Sequence, residues 1–353
     1  SPNHLSLKEG CTRGTNAANA FPVQPLAERL TRRAVLQKAI RTYFEGADFL
    51  EVDTPIAVSA PAPELHIEAP PITLHLPEGP ITRYLQTSPE LSMKRLLAEG
   101  LPRIYQIAPV FRDGDYSPQH RPEFRLLEWY RRDASWMSLL EDCEGLLRHL
   151  CTTLGGREEF VYQGQKINLQ QPFRRITVDE AFLEHAGFSV LEALDPVPLR
   201  GQLDRLNLPH APDDRWDDLF HRVFLTRVEP ALLAEPAPLF LTHYPAPLGS
   251  LARLCPSDPR VAERVELYVG GMELANGFGE LTCPIEQRSR FVQERQKRLE
   301  AGNADYPLDE RFLKSLEKLT ESAGMALGID RLLMLFLDAT SIEAVWGLPW
   351  DTT

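Results

Sequence analysis

Residues 111–130 read FRDGDYSPQHRPEFRLLEWY. The apolar run Ile104 to Phe111 predicts a strand, and Arg112 continues it. Asp113 to Glu123 is a polar loop carrying His120, and Phe124 to Tyr130 predicts the returning strand. Far downstream, GMALGIDRLLML at Gly324 to Leu335 predicts a small-residue turn running into an apolar helix with one arginine, Arg331. Two guanidiniums fixed in this way suit a polyphosphate, because the planar fork grips phosphate oxygens bidentately.

Leu36, Ile40, Tyr43 and Phe44 recur at helical spacing, so Leu26 to Tyr43 predicts a helix that Gly46 ends. Phe49 to Val52 predicts a strand stopped at Thr54-Pro55. Pro61 to Pro80 is proline-rich and predicts short strands or a loop. Ser88 as N-cap and Pro89 at the first helical position predict a helix that buries Met93, Leu96 and Leu97 and closes at Gly100. Further helices are predicted over Met137 to Leu150, Arg222 to Leu232 and Pro284 to Glu300, and a small β segment over Phe160 to Ile176. Leu239 to Leu241 predicts a strand followed by a turn at Tyr244-Pro245. Val265 to Val269 and Met272 to Ala275 predict two strands, and Gly270-Gly271 between them suits a hairpin that brings Glu266 and Glu273 together. The strands are joined irregularly, not by a βαβ alternation, which favours an α+β fold with an antiparallel β-sheet flanked by helices. Neither a P-loop nor a Rossmann glycine pattern is present.

No apolar run reaches the ~20 residues that span a bilayer, and no signal-peptide pattern opens the chain, so the expected compartment is cytoplasmic. The five cysteines show no CxxC spacing and no histidine partners, so neither zinc nor a disulfide framework is expected. A net charge of −12 disfavours extensive contact with nucleic acid. Residues 1–25 lack periodicity and predict a poorly ordered arm.

The FRDGDYSPQHRPEF and GMALGIDR segments resemble motifs 2 and 3 of class II aminoacyl-tRNA synthetases. The helix-strand-proline unit from Leu26 to Pro55 resembles motif 1, which builds their dimer interface. YLQTSPELSMKRLLAEG at Tyr84 to Gly100 and ELYVGGMELANGFGELTCPIEQRSRF at Glu266 to Phe291 resemble the lysyl branch. Within that branch the likeness is greatest to the elongation factor P–lysine ligase family, paralogues of lysyl-tRNA synthetase, and it covers residues 26–353 as a catalytic domain. Lysyl-tRNA synthetases carry an anticodon-binding barrel before the catalytic core. The roughly 25 residues ahead of the motif-1 helix are too few for one.

The resemblance implies activation of lysine or (R)-β-lysine by ATP and Mg²⁺, then transfer to a lysine ε-amine of elongation factor P by a homodimeric enzyme. It puts Arg112 on the α-phosphate, Arg331 and His120 toward the far phosphates, Asp115 in the nucleotide site and Phe124 against adenine. Glu266 and Glu273 are the implied Mg²⁺ ligands, since hard oxygens suit that ion. Ser88, Glu90, Glu273, Asn276, Glu280 and Ala326 are the implied substrate contacts, with Glu90 and Glu280 for the two ammoniums. This chain departs from true synthetases at four positions. Gly114 stands where they have glutamate (with an acid next, at Asp115), Arg121 replaces an asparagine, Cys283 an aspartate, and Ala326 a glycine. The ligase family shares the alanine, and the extra methyl would reshape the space around the substrate. Three alternatives remain at this stage: a truncated lysyl-tRNA synthetase charging tRNA, an ammonia-using amino-acid ligase, and an inactive paralogue that acts as a binding module. The missing barrel and acidic charge make a tRNA partner unlikely, the lysyl-like ELANGFGEL block weighs against the second, and the intact arginines and acids weigh against the third.

Overall fold

The computed structural model describes residues 25–350; the arm expected over residues 1–25 lies, apart from Pro25, outside them. In chain order the elements are α1 (Leu26–Gly46), β1 (Leu50–Glu51), β2 (Ala57–Val58), β3 (Pro71–Leu76), β4 (Gly79–Leu85), α2 (Glu90–Ala98), β5 (Arg103–Phe111) and β6 (Glu123–Arg132). Next come α3 (Met137–Thr153), β7 (Glu159–Tyr162), β8 (Gln165–Asn168), β9 (Arg174–Thr177), α4 (Val178–Ala186), α5 (Pro196–Arg205), α6 (Trp216–Val223) and α7 (Glu229–Ala234). The last are β10 (Leu239–Pro245), β11 (Leu254–Cys255), β12 (Asp258–Val269), β13 (Met272–Gly279), α8 (Pro284–Glu300), α9 (Glu310–Ser315), β14 (Ser322–Gly328) and α10 (Ile329–Phe336).

The main sheet runs β1-β5-β6-β14-β13-β12-β10-β9, with β11 against β12. Every neighbour is antiparallel except β1 with β5 and β10 with β9. Alternation divides its central strands into two faces. Leu127, Trp129, Val265, Leu267, Ala323, Met325 and Leu327 point into the largest core, which α1, α3 and α10 cover. Glu128, Tyr130, Arg264, Glu266, Asn276, Phe278, Gly324 and Ala326 have the opposite parity, and α2 lies over part of that face.

Four expectations need correction. The small-residue segment before Arg331 is not a turn: Ser322–Gly328 is β14, a central strand paired on both sides. It lacks the branched and aromatic residues that signal a strand, and its neighbours impose the extended form. Tyr244-Pro245 is the end of β10, and its register with β12 shifts between Thr242 and Tyr244. The single helix expected over Arg222 to Leu232 is α6, a π turn at Phe224–Val228 and α7. Pro230 brings no N–H to the ladder, so the preceding turn widens. The helix expected to be capped by Ser88 with Pro89 as its first residue instead begins at Glu90 with Pro89 at its N-cap, and the Ser88 hydroxyl accepts from the Glu90 N–H at 3.0 Å. The Gly270-Gly271 hairpin forms as expected, with φ of 60° and 76°, the left-handed pair of a tight two-residue turn. A Cβ on Gly270 would stand 2.7 Å from Leu335, so glycine is required there by packing as well as by φ.

Candidate active site

The polar face of the sheet holds two adjoining clusters. The first is a box of three acids around one lysine. α2 supplies Ser88 (just before its start), Glu90 and Lys94; β6 supplies Glu128 and Tyr130; Glu280 follows β13. The Ser88 hydroxyl donates to Glu128 Oε1 at 2.6 Å, and the Tyr130 hydroxyl to Glu128 Oε2 at 2.9 Å. Lys94 Nζ lies 2.5 Å from Glu90 Oε1 and also ion-pairs with Glu280 Oε2. Among the described residues Glu280 Oε1 has no hydrogen-bond partner. The Lys94 and Glu280 side chains are fully buried.

Burial works against charge in this box. It pushes Glu128 up to about 8, with the Glu90 charge adding to the shift. It pushes Glu280 up to about 8 against the pull of Lys94. Burial alone would lower Lys94, yet Glu280 and Glu90 together hold it above its ordinary value. Three carboxyls facing one ammonium leave two acids without a cation, and a ligand with two ammoniums fills that deficit.

The second cluster is cationic. Arg112 follows β5 by one residue, and its N–H donates to the Pro122 carbonyl at 2.9 Å, so the hairpin still holds it. Its guanidinium carbon sits 5.2 Å from the centre of the Phe124 ring. Arg331 donates to the Glu273 carbonyl at 2.7 Å and to His120 Nε2 at 2.6 Å. His120 Nδ1 therefore carries the proton and donates to the Ser117 hydroxyl at 2.7 Å. Burial and then the Arg331 charge lower the His120 pKa, which favours this neutral form. Asp115 is near enough to act electrostatically on both His120 and Arg331.

Glu266 stands opposite Asn276, and Glu273 opposite Tyr268. Glu266 accepts from Arg264 and from the Tyr268 hydroxyl, both at 2.8 Å. Burial raises Glu273 to about 7, and the Glu266 charge adds to the rise, so the hairpin does bring the two acids within electrostatic reach. Among the described residues no three metal-ligating side chains stand together. The donors at Glu266 and Glu273 fit a Mg²⁺ that takes its remaining ligands from phosphate oxygens and water.

Asn276 joins the clusters: it lies between Glu266 and Ala326 in the ladder, and its buried Oδ1 has no partner among the described residues. Ala326 is partly exposed and pairs with Glu128 on its other side. The residues expected to bind nucleotide, metal or amino acid thus lie on or beside one sheet face. Lys94, Glu128, Tyr130 and Arg264 were missed. An acid at Glu128, set among Leu126, Leu127, Trp129 and Tyr130, was the readable signal. Arg121 and Cys283 fall outside the clusters. Arg121 is buried under Trp346, 3.9 Å from its ring centre, and lies 3.5 Å from Glu343. Cys283 precedes α8 and makes no side-chain cap.

Comparison with known proteins agrees with this geometry. The family described as tRNA synthetases class II (D, K and N) matches residues 20–352. An elongation factor P–(R)-β-lysine ligase of Vibrio vulnificus (strain YJ016) is 38% identical over 92% of this chain and 96% of its own length. The ligase of the same description from Edwardsiella ictaluri (strain 93-146) is 38% identical over 96% of this chain and 99% of its own. A lysine–tRNA ligase of Dechloromonas aromatica (strain RCB) is 35% identical over 90% of this chain but only 62% of its own length. The chain thus belongs to the class II tRNA synthetases of the D, K and N type, in the branch of elongation factor P–(R)-β-lysine ligases.

Proposed function

We propose that this enzyme activates (R)-β-lysine, or α-lysine less well, as an aminoacyl-adenylate and transfers it to the ε-amine of a lysine on elongation factor P. The observation that carries the reading is the box of Glu90, Glu128 and Glu280 around Lys94, on the same sheet face as Arg112 and Arg331. A diammonium substrate supplies the cations the box lacks, and its carboxylate is left to face the arginines.

In activation the substrate carboxylate attacks the α-phosphorus of ATP and pyrophosphate leaves. The developing charge lies on phosphate oxygens, so fixed cations matter more than a general acid. Arg112 holds the α-phosphate, while Arg331 and neutral His120 hold the far phosphates beside Asp115. Adenine stacking on Phe124 requires Arg112 to swing off the ring toward the phosphate. Glu266 and Glu273 would hold Mg²⁺, which neutralises phosphate charge when bound. Ser88 orients Glu128 and, with Glu90, Glu273, Asn276 and Glu280, lines the substrate site. The Ala326 methyl narrows it on the strand between Glu128 and Asn276.

A homodimer through α1 and β1 suits the exposed Leu26, Leu30, Val35 and Leu50. Among the described residues no helix is long and apolar enough to cross a membrane, and elongation factor P as acceptor implies the cytoplasm. The likeness to a lysine–tRNA ligase supports a second reading with tRNA as acceptor, and the net charge of −12 weighs against it. The test is the intact mass of the cognate elongation factor P after incubation with the enzyme, ATP, Mg²⁺ and α- or β-lysine. One added lysyl group, more with β-lysine, is expected. No gain alongside normal ATP–pyrophosphate exchange refutes the acceptor and turns the test to tRNA; no exchange refutes the ligase.

A further inference from the structure

A cavity of about 390 Å³ adjoins the two clusters, and none of the residues assigned to activation lines it. Its walls are the loop between β2 and β3, α6, the segment after β10, β12 and α8. Glu64 and His66 enter from the loop, Arg264 from β12 and Gln287 from α8. The Arg264 guanidinium is bonded to Glu266, so one cavity wall is also a wall of the phosphate cluster.

Two side chains in this cavity lack partners. Gln287 is fully buried, and neither its amide oxygen nor its amide nitrogen makes a hydrogen bond among the described residues. Burying both ends of an amide unpaired is unfavourable and calls for a polar occupant. The Glu64 carboxylate makes no ion pair among the described residues, although its backbone is pinned. The fully buried Arg298 donates to the Glu64 carbonyl at 2.6 Å and to the Ile67 carbonyl at 2.9 Å. A rigid backbone thus presents a carboxylate that the rest of the fold does not use.

The position of Glu64 gives it a task. The charges acting on it are Glu90 from α2, Arg112 beyond β5, Arg264 from β12 and Glu294 from α8. Asp217 and His221 of α6, with Arg290 and Lys297 of α8, also line the cavity. Glu64 therefore lines the cavity within electrostatic reach of both the acid that receives the amino acid and the arginine that holds the phosphate. We propose that this cavity admits the acceptor lysine side chain and that the Glu64 carboxylate takes the proton from its ammonium. This inference rests on the acceptor reading above.

In the step, the acceptor ammonium gives one proton to Glu64. Its freed lone pair forms the N–C bond to the adenylate carbonyl carbon, and the bond from that carbon to the phosphate oxygen breaks with its electron pair leaving on AMP. The second nitrogen proton goes to the departing phosphate. Burial first and Glu90 second raise Glu64 to about 6, so it is ionised at neutral pH yet a better base than an exposed carboxylate.

The experiment uses the full chain with ATP, a lysine-type substrate and elongation factor P, and reads exchange and single-turnover transfer separately. In Glu64→Gln, transfer falls about 100-fold or more relative to exchange, the usual worth of a general base. Wild-type transfer reaches a plateau above about pH 6; in the variant the rate climbs with pH toward the ordinary lysine pKa near ~10.4. Glu64→Asp recovers part of the loss, and hydroxylamine, an amine already neutral at neutral pH, discharges the adenylate of Glu64→Gln nearly as fast as that of the wild type. Equal losses of exchange and transfer, or an unaltered pH profile, overturn the role of Glu64. Wild-type exchange with no transfer to elongation factor P overturns the acceptor reading and this inference with it.

Discussion

Lys94→Met removes the only cation in the acid box while nearly keeping its volume. In the wild type Lys94 bridges Glu90 and Glu280, and the Lys94 and Glu280 side chains are fully out of water. Removing one partner of such a pair costs about 3–5 kcal/mol when the remaining charge cannot escape. Here it can escape in part, because a buried carboxyl takes up a proton instead. Glu280 already has a folded pKa raised to about 8, above the ~4.3 of an unfolded glutamate. A raised carboxyl pKa makes stability fall as pH rises between those two values and level off above the higher one. Without Lys94 the folded value moves higher still, so the fall continues past pH 8. Each further unit costs about 1.4 kcal/mol for each carboxyl that must keep its proton. The variant should therefore lie modestly below the wild type at pH 6 and about 3–5 kcal/mol below it at pH 9, on the order of 10 °C in melting temperature. Denaturant and thermal melts of both proteins at the two pH values measure the gap. A gap of equal size at both, or none at pH 9, would refute the account of the box as a charge-coupled unit.

Arg112→Ala should lower ATP–pyrophosphate exchange by at least about 100-fold with an unchanged melting curve, since the guanidinium serves charge that develops in the reaction; retained exchange would remove it from the phosphate site. Ala326→Gly should shift the ratio of exchange with α-lysine to exchange with β-lysine toward α-lysine by about 10-fold, the worth of one methyl group in a fitted pocket, and an unaltered ratio would take Ala326 out of specificity. Gly324→Ala would set a Cβ 2.2 Å from the Tyr130 ring and 2.6 Å from Glu280 Oε1. It should raise the KM for lysine and cost about 1–3 kcal/mol of stability, and normal affinity would mean that Glu280 faces elsewhere.

Much of this arrangement is written locally. Gly270-Gly271 can form a tight left-handed turn and its neighbours cannot easily do so, so the β12–β13 hairpin was legible from the residues alone. The β5–β6 hairpin, with Arg112 at one end and Phe124 at the other, was legible in the same way from its apolar runs. These two hairpins bring in Arg112, Phe124, Glu266, Glu273 and Asn276, and the short helix after Ser88-Pro89 adds Glu90. Period and turn chemistry act over a few residues, and a reader of the chain has direct access to them.

What joins the hairpins was decided only in the folded molecule. Ser322–Gly328 has no strand-forming composition and becomes a central strand because β6 and β13 each offer it a free edge. Its small residues then leave the room that Glu280 and Tyr130 occupy. Lys94 reads in the sequence as one of two basic residues on a short helix, and Glu280 only as an acid that the resemblance assigns to a substrate ammonium. Their pairing, the raised Glu128 and the unpartnered Gln287 all depend on segments distant in sequence that exclude water from one another. Burial sets the charge state of an acid, and burial is a property of the packed whole. The sequence thus determined which groups are available and on which strands they stand, while the tertiary structure decided which of them lose water, which find partners and which are left for a substrate.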